Sequence, residues 1–350
     1  MREYFGSIAG NAQLRERLGE DLARGSVSHA YILEGPWGSG KSTLATEIAM
    51  ALACENRTDG ASPLPCKACS ACRKIAAGNS PDVIHIRREA DKATMGVDVV
   101  RALRSDVITV PNDLSFKIYL IHDAHTMTVQ AQNALLLTLE EPPSFVLFFL
   151  LTEDASVLLE TIRSRAPILR MQPVTDAEIK SYLLSDRPTP AVTRAAKALA
   201  EAAPGDMDAV LRMAGGCIGN AISLLDEAKR APLLENREEV LAVCRLLAYR
   251  KGQDELLTRL LAFGKKRDDV TEKLLILEVA LRDLTLLCYS ESAPLLFFTE
   301  RETPLELCNH FTVRRLLGLS GAVSEAISSL AANGNVRLIL VQLQNRLLAQ

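Results

Sequence analysis

Residues 35–43 read Gly35-Pro36-Trp37-Gly38-Ser39-Gly40-Lys41-Ser42-Thr43, which contains the complete pattern G-x-x-x-x-G-K-[ST]. An apolar run over 30–33 precedes this loop, and helix-forming residues over 43–53 follow it. The glycines let backbone N–H groups surround phosphate oxygens, Lys41 offers a cation to the β and γ phosphates, and the Ser42 hydroxyl is a ligand for Mg²⁺. The alternative is a glycine-rich turn that binds nothing. The order of strand, loop and helix favours a nucleotide-binding site.

Further apolar runs predict strands at Val83–Ile86, Lys117–Ile121 and 145–151. Residues 128–141 favour a helix, which Pro142 and Pro143 end because proline has no N–H and restricts the residue before it. Strands and helices that alternate in this way predict an α/β fold, with a parallel sheet covered by helices.

The strand signal ends near Pro173, and helices are predicted from there to the end of the chain. We expect three domains: a nucleotide-binding domain over 1–172, a small helical domain over 173–231 and a longer all-helical domain over 232–350. The last helix carries one apolar stripe, because apolar residues recur there at helical spacing: Val336, Ile339, Leu340, Leu343 and Leu347.

The composition is typical of a folded, soluble protein. Of the 350 residues, 48% are hydrophobic and 24% are charged, a balance that excludes a mainly disordered chain. The 40 basic and 43 acidic residues give a net charge of -3, which argues against binding nucleic acid through a uniformly basic surface. No apolar run reaches the roughly 18 residues of a membrane span, and the first residues lack the apolar core of a secretory signal. We therefore expect a cytoplasmic protein with no membrane partner.

The strand that ends at Ile121 is followed by His122 and Asp123. A nucleotide hydrolase with this loop type has acidic residues there, one to hold Mg²⁺ and one to orient the attacking water. Mg²⁺ prefers oxygen ligands to imidazole, so we expect it to be held weakly and hydrolysis to be weak or absent. Two alternatives stay open: Asp123 positions a water despite its short side chain, or His122 contacts the metal through water.

The eight cysteines are distributed unevenly. Four of them lie within 19 positions: Cys54, Cys66, Cys69 and Cys72. Four thiolates at this spacing match a closed tetrahedral Zn²⁺ site. An iron–sulfur cluster is a rival, although the C-x3-C-P continuation of a ferredoxin is missing, and free thiols are a second alternative. The other four cysteines are predicted to be small buried apolar side chains: Cys217, Cys244, Cys288 and Cys308.

Together, and in this order, the motifs resemble a bacterial clamp-loader subunit of the AAA+ class. The resemblance rests on the loop GPWGSGKST, the cysteine insertion after its helix, the stretch NALLLTLEEPPSFVLFFLLTED and the segment TIRSRA. It covers residues 1 to about 230, with compatible helical sequence beyond. It implies an AAA+ P-loop domain with a zinc module at about 54–72, a helical lid domain and a helical collar domain that joins subunits.

Gamma/tau ATPase subunits and the delta-prime subunit share these motifs, and three departures favour delta-prime. Gamma-like strands end in Asp-Glu, where this chain has His122-Asp123. A G-x-x-R-D-A segment carries their γ-phosphate-sensing arginine, where this chain has Gly216-Cys217-Ile218-Gly219-Asn220-Ala221. The neutral Asn220 side chain cannot supply that charge. We also expect no tau-type extension after Gln350.

The resemblance also implies roles for Arg165 and Thr152. In the family, the arginine of the segment Ser164-Arg165-Ala166 acts across the subunit boundary as a finger on a neighbour's ATP, a task that suits a permanently charged, planar guanidinium. The alternative for Arg165 is a surface arginine or an ion pair. Thr152 matches the family's first sensor near the γ-phosphate, and a plain strand-ending threonine is its alternative.

The function that the resemblance implies is that of a delta-prime subunit in DNA replication. Such a subunit binds ATP or ADP, hydrolyses it poorly, and forms a hetero-pentameric ring with gamma/tau and delta that places the sliding clamp on primed DNA. Polymerase activity would belong to the holoenzyme and not to this chain. The rivals are a gamma/tau-like ATPase motor subunit and a stand-alone AAA+ remodeller.

Overall fold

The computed structural model describes residues 2–89, 92–250 and 253–350. Its strands are β1 (Ala30–Glu34), β2 (Val83–Ile86), β3 (Lys117–Ile121), β4 (Val146–Thr152) and β5 (Ile168–Arg170). Helices of the first half are α1 (Ala12–Arg24), α2 (Lys41–Ala53), α3 (Ser70–Ala76), α4 (Val97–Val107), α5 (Val129–Glu140), α6 (Glu160–Arg163) and α7 (Asp176–Leu184). Later helices are α8 (Pro190–Ala202), α9 (Pro204–Met213), α10 (Ile218–Leu224), α11 (Glu227–Tyr249), α12 (Gln253–Ala262), α13 (Arg267–Leu287), α14 (Glu302–Cys308), α15 (Val313–Ala331) and α16 (Val336–Leu348).

The strands form one parallel sheet in the order β2-β3-β4-β1-β5. The predicted α/β class and the four predicted strands are confirmed, within one residue at their ends. The edge strand β5 was not predicted, because it has three residues and none of them is fully buried. Since all strands are parallel, their carboxyl ends meet at one edge of the sheet, where the loops after β1, β2, β3 and β4 lie together.

The sheet is covered on both faces, which explains why β3 and β4 are apolar without alternation. Ile118 and Leu120 pack in a core with residues of α1, α2 and α3. The alternate residues Tyr119 and Ile121 pack in a second core with residues of α4, α5 and α6. Two apolar layers thus hold the carboxyl edge of the sheet in place.

Local signals set the bounds of α5, the helix predicted over 128–141. The Thr128 hydroxyl accepts a hydrogen bond from the Ala131 N–H and caps the first turn. At the other end, Pro142 and Pro143 follow Glu141 and stop the helix.

The chain divides into two compact units: residues 1–197 with 216–222, and residues 198–215 with 223–350. The first unit contains the sheet and the loops at its carboxyl edge. The boundary predicted at 231/232 falls inside α11, which continues through Pro232. The division into a lid domain and a collar domain stays a prediction.

The second unit is helical and has its own core, built from α11 to α16. The predicted stripe of α16 is confirmed, since Ile339, Leu340, Leu343 and Leu347 are buried there and Val336 is half-buried. The prediction for Cys288 was wrong: this side chain is exposed, because it lies just after the last turn of α13. In the described part of the chain, no helix has the length and apolarity needed to cross a lipid bilayer.

Candidate functional site

The glycine-rich loop joins β1 to α2 as predicted, and α2 begins at Lys41 with Gly40 as its N-cap. Gly38 has a φ of 77°, a left-handed conformation that glycine adopts at little cost. A Cβ at Gly38 would also lie 2.6 Å from the Asn220 Oδ1, so glycine is required there by space as well. The loop therefore ends at a helix N-terminus, where backbone N–H groups favour anions.

Lys41 lies over this loop. Its Nζ donates to the Gly35 carbonyl at 2.6 Å and to the Pro36 carbonyl at 2.8 Å. Burial lowers the pKa of Lys41, and the nearby carboxylates of Glu153 and Asp123 oppose that shift. The ammonium is thus fixed beside the loop by oxygen acceptors, in position to meet a phosphate chain.

A cavity of about 380 Å³ opens at this edge of the sheet. Its volume lies within the range of roughly 300–1,000 Å³ that is usual for small-molecule sites. The predicted residues that line it are Trp37, Gly38, Ser39, Gly40, Lys41, Ser42, Thr43 and Asp123. The predicted residues Gly35, Pro36 and Thr152 do not line it.

Other residues also line the cavity, beyond those predicted to bind nucleotide. They are Ser7, Ile8, Ala9, Arg87, His122, Leu151, Glu153, Val174, Tyr182, Gly216, Ile218, Gly219 and Ile222. Arg87, the residue after β2, is one of them. Motifs in the sequence mark His122 and the segment 216–221, whereas no motif marks the other positions, because they come from separate elements that meet only in the fold.

His122 occupies the place after β3 where a metal-binding carboxylate was expected. Its Nε2 lies 2.9 Å from Nδ1 of His85, which belongs to β2, and the two rings are stacked. Burial lowers the pKa of His122 to about 4, and the positive charge of Arg87 adds to this effect. Burial also lowers the pKa of His85. Both imidazoles are therefore neutral near pH 7, and one donates its N–H to the other.

Asp123 follows His122 in a left-handed conformation, with a φ of 49°. Its backbone carbonyl accepts from the N–H and the hydroxyl of Thr126, at 2.8 and 2.7 Å. These bonds turn the chain sharply after β3 and leave Asp123 on the wall of the cavity.

Thr152 ends β4, as predicted, but its hydroxyl is bonded to the backbone two residues further on. The Oγ1 donates to the Asp154 carbonyl at 2.8 Å, and the side chain is fully buried. The next residue, Glu153, lines the cavity instead. A sensor role for Thr152 stays a prediction.

Arg165 lies after α6 and forms an ion pair with Glu140 at the end of α5. An Nη of Arg165 is 2.7 Å from Glu140 Oε1, and a second Nη donates to the Thr161 carbonyl at 3.0 Å. Both side chains are partly exposed. Arg165 does not line the cavity described above, and its finger role stays a prediction beside the ion-pair alternative.

The segment 216–222 packs directly on the glycine-rich loop. The Gly219 N–H donates to the Gly38 carbonyl at 2.8 Å, and the Val174 N–H donates to the Gly216 carbonyl at 3.0 Å. Asn220 thus lies against the loop, at the place where the gamma-like pattern has an arginine.

The four clustered cysteines converge as predicted. The ligand atoms of Cys54, Cys66, Cys69 and Cys72 all lie within 4.8 Å of one another. Tetrahedral Zn–S bonds of about 2.3 Å place sulfurs about 3.8 Å apart, so a small inward adjustment would complete a zinc site. The Cys69 N–H also points at the Cys66 Sγ, 3.4 Å away. These donors fit a closed structural zinc ion.

The thiols are not equivalent. Burial raises the pKa of Cys54 and of Cys72. For Cys66 burial acts in the same direction, but the N–H groups of Cys69 and Ala68 and the neighbouring thiols outweigh it and lower the pKa to about 7. Cys66 is therefore available as a thiolate, the form that binds metal, at a lower pH than Cys54 or Cys72.

Comparisons with known proteins match the part of the chain that carries this site. Residues 10–175 match the family model described as DNA polymerase III, delta subunit. This segment is delta-subunit-like. It contains the glycine-rich loop, the cysteine cluster, His122 and Arg165.

Relatives with similar sequences include subunits of DNA polymerase III. The chain is 32% identical to subunit tau of Bacillus subtilis over 65% of its own length and 38% of that protein. It is 31% identical to subunit tau of Escherichia coli over 71% of its own length and 41% of that protein. The chain thus spans about two fifths of the length of these relatives.

Similar solved structures include a gamma subunit-related protein of Thermotoga maritima, with a TM-score of 0.45, 17% identity and coverage of 95% and 97% of the two chains. The RuvB branch migration motor of the same organism has a TM-score of 0.40 and 18% identity, over 82% of this chain and 79% of RuvB. Likeness at this level has no bearing on function.

Proposed function

We propose that the chain is a delta-prime type subunit of a DNA polymerase III clamp loader. Such a subunit binds nucleotide and forms a fixed part of the ring, but it does not drive the ring by hydrolysing ATP. The observation that carries the proposal is the position after β3. There the buried His122 is hydrogen-bonded to His85, where an ATPase would present a carboxylate to its metal. The similarity to tau and gamma subunits supports the assignment to this complex.

Nucleotide binding is supported by the geometry of the loop and its cavity. The loop ends at the N-terminus of α2, Lys41 lies beside it, and the Ser42 hydroxyl lines the cavity. These groups suit ATP or ADP. Because His122 replaces the metal-side carboxylate, bound nucleotide would be hydrolysed slowly, would persist and would hold the subunit in one shape.

Arg165 is the residue through which the chain would contribute to catalysis. It lies two residues after α6, apart from the chain's own cavity, with Glu140 as its ion-pair partner. In the proposed ring it reaches the ATP of an adjacent gamma/tau subunit. A guanidinium suits that role because it stays charged and offers a planar fork to the γ-phosphate.

The cysteine cluster would hold one zinc ion with a structural role, since four protein ligands leave no open position. The module lies against the N-terminal segment, where the Phe5 N–H donates to the Leu64 carbonyl and the Leu64 N–H donates to the Glu3 carbonyl, both at 2.9 Å.

Assembly tests this proposal directly. The chain is mixed with the gamma/tau and delta subunits of its own genome and examined by size-exclusion chromatography with light scattering. We expect a stable complex of five subunits that binds the sliding clamp and primed DNA. A chain that forms no complex with them would be a stand-alone AAA+ remodeller instead.

The second candidate is a gamma/tau-like motor subunit, which the intact glycine-rich loop and the identity to tau favour. ATP turnover by the isolated chain separates the two. We expect turnover near background. Turnover that rises with primed DNA and disappears in Lys41→Ala would establish the motor and overturn the delta-prime proposal.

The finger role has its own test in the assembled complex. Arg165→Ala should leave assembly intact and lower ATP turnover by at least about 100-fold, in line with arginine fingers in other nucleotide hydrolases. Arg163→Ala is the matched control, because Arg163 is an exposed arginine two residues before Arg165. Equal ATP turnover in the two variants would show that Arg165 is not an arginine finger.

A further inference from the structure

The charge balance of the cavity is unusual for a nucleotide site. Lys41 and Arg87 are the cations on its wall, and Asp123 and Glu153 are the carboxylates. A triphosphate needs positive charge along its outer oxygens, and most sites with this loop supply part of it with Mg²⁺. Whether Mg²⁺ supplies this charge here depends on the side chains that the cavity offers as metal ligands.

These donors do not fit a firmly held Mg²⁺. His122 stands at the metal-side position, and one of its nitrogens is already paired with His85 at 2.9 Å. Imidazole nitrogen is a poor ligand for this hard cation. Within residues 2–89, 92–250 and 253–350, the cysteine cluster is the one group of three or more side chains that converges at metal-binding distance. His122, Asp123 and Glu153 do not converge in this way.

Arg87 is placed to supply the missing charge. It follows β2, which lies on the far side of β3 from the loop strand β1. An arginine there approaches the outer end of a phosphate chain whose inner part lies on the glycine-rich loop. In the described part of the chain its guanidinium has no hydrogen-bond or ion-pair partner, whereas the adjacent Arg88 donates to the Lys92 carbonyl.

A second group on the wall lacks a partner as well. The Ser39 hydroxyl is buried in the glycine-rich loop, and no described residue hydrogen-bonds to it. A buried hydroxyl without a partner is costly, so a ligand oxygen would stabilise it. The cavity thus offers an unpaired cation to an anionic ligand, and the buried Ser39 hydroxyl would have to turn toward the cavity to add a hydrogen bond.

We infer that the site binds nucleoside triphosphate as the metal-free anion, with Arg87 taking the place of Mg²⁺ at the terminal phosphate. This inference rests on the proposed nucleotide-binding function. It goes beyond that function by naming the ionic form of the ligand and a binding residue. Because Arg87 meets the outer phosphate, its loss weakens ATP more than ADP.

Trp37 makes the inference measurable, since it is the one tryptophan of the chain, lies in the loop and is 61% exposed. Its fluorescence reports nucleotide binding, with calorimetry as an independent measurement. We expect the affinity of the full chain for ATP to change less than about threefold between excess Mg²⁺ and excess EDTA. Arg87→Ala should lower ATP affinity in EDTA by about tenfold or more, the usual value of one charge-assisted hydrogen bond. Arg88→Ala, the matched control, should leave it unchanged.

A gain-of-function variant completes the test. His122→Asp restores a metal-side carboxylate and should make ATP bind at least about tenfold more tightly in Mg²⁺ than in EDTA. If the wild type binds ATP only with Mg²⁺, or if Arg87→Ala and Arg88→Ala behave alike, the inference is wrong and the proposed function stands. If the wild type binds no nucleotide in either condition and matches Lys41→Ala, nucleotide binding itself fails.

Discussion

Arg165 and Glu140 form an ion pair of 2.7 Å that joins the turn after α6 to the last residue of α5. Partly exposed ion pairs contribute little to the free energy of unfolding. The main effect of this pair is therefore to orient the Arg165 guanidinium. The Thr161 carbonyl holds the same guanidinium from the other side, at 3.0 Å. These two contacts hold the Arg165 guanidinium in one direction, which is the orientation that the proposed finger role would use.

We predict that Glu140→Gln lowers kcat of the assembled clamp loader by about threefold to tenfold and leaves KM for ATP unchanged, because a misplaced finger affects the transition state more than binding. The free energy of unfolding should change by less than about 1 kcal/mol. Glu141→Gln is the control, since Glu141 is adjacent and also exposed. A fall in kcat of the same size in both variants would contradict an orienting role.

The fold was largely predictable, because β3 and β4 are continuous apolar runs and prolines end α5. The edge strand β5 was not predictable, because its three residues, two half-buried and one exposed, carry no strand signal. The boundary expected at Pro232 was also missed, because α11 continues through this proline, its sixth residue.

The candidate site was predictable where one stretch of sequence holds it, and not where distant stretches meet. The loop over 35–43 and the cysteine cluster come from local patterns. The pairing of His122 with His85 depends on β2 lying beside β3, which no local pattern specifies. The same is true of Arg87, whose position on the cavity wall follows from the strand order.

We predict that the purified chain contains one zinc ion per molecule and that its removal lowers the melting temperature. Four thiolates bind zinc more tightly than three, so Cys66→Ser should reduce the zinc content measured by plasma mass spectrometry and lower the melting temperature. Cys288→Ser is the control, because this exposed cysteine lies outside the cluster. A chain that is fully folded without metal, with the four thiols free to react, would rule out a structural zinc site.

Asp82 is predicted to stabilise the first unit in a pH-dependent way. This fully buried carboxylate accepts from the N–H groups of Asn112, Asp113 and Leu114, at 2.7 to 2.8 Å. Burial acts to raise its pKa, but these three hydrogen bonds prevail and lower it. Asp82→Asn should therefore reduce the free energy of unfolding by about 2 kcal/mol near pH 7.

The pH dependence of that difference follows from the sign of the shift. A carboxylate with a lowered pKa in the folded state stabilises fully above its unfolded pKa of about 3.9, and the effect is lost as pH falls toward the folded pKa. Urea unfolding should thus show the difference between wild type and Asp82→Asn undiminished down to about pH 5 and smaller below about pH 4. Asp113→Asn, with its exposed side chain, should show a much smaller difference. A difference that does not vary with pH would mean that shape, and not charge, makes Asp82 stabilising.

Gly219 is predicted to couple the segment 216–222 to the nucleotide loop. Its N–H donates to the Gly38 carbonyl at 2.8 Å, and a Cβ at Gly219 would lie 2.7 Å from the Gly38 Cα. The Gly38 Cα belongs to the backbone and cannot turn aside, so the new methyl group of Gly219→Ala must push the segment away from the loop. We expect ATP affinity, measured by Trp37 fluorescence, to fall by about tenfold, roughly the effect of losing this hydrogen bond and its packing.

Gly321→Ala is the control, because Gly321 lies in α15 with open space around it. This variant should raise the free energy of unfolding by about 0.5–1 kcal/mol without changing ATP affinity. Normal ATP affinity in Gly219→Ala would mean that the loop keeps its shape without this segment.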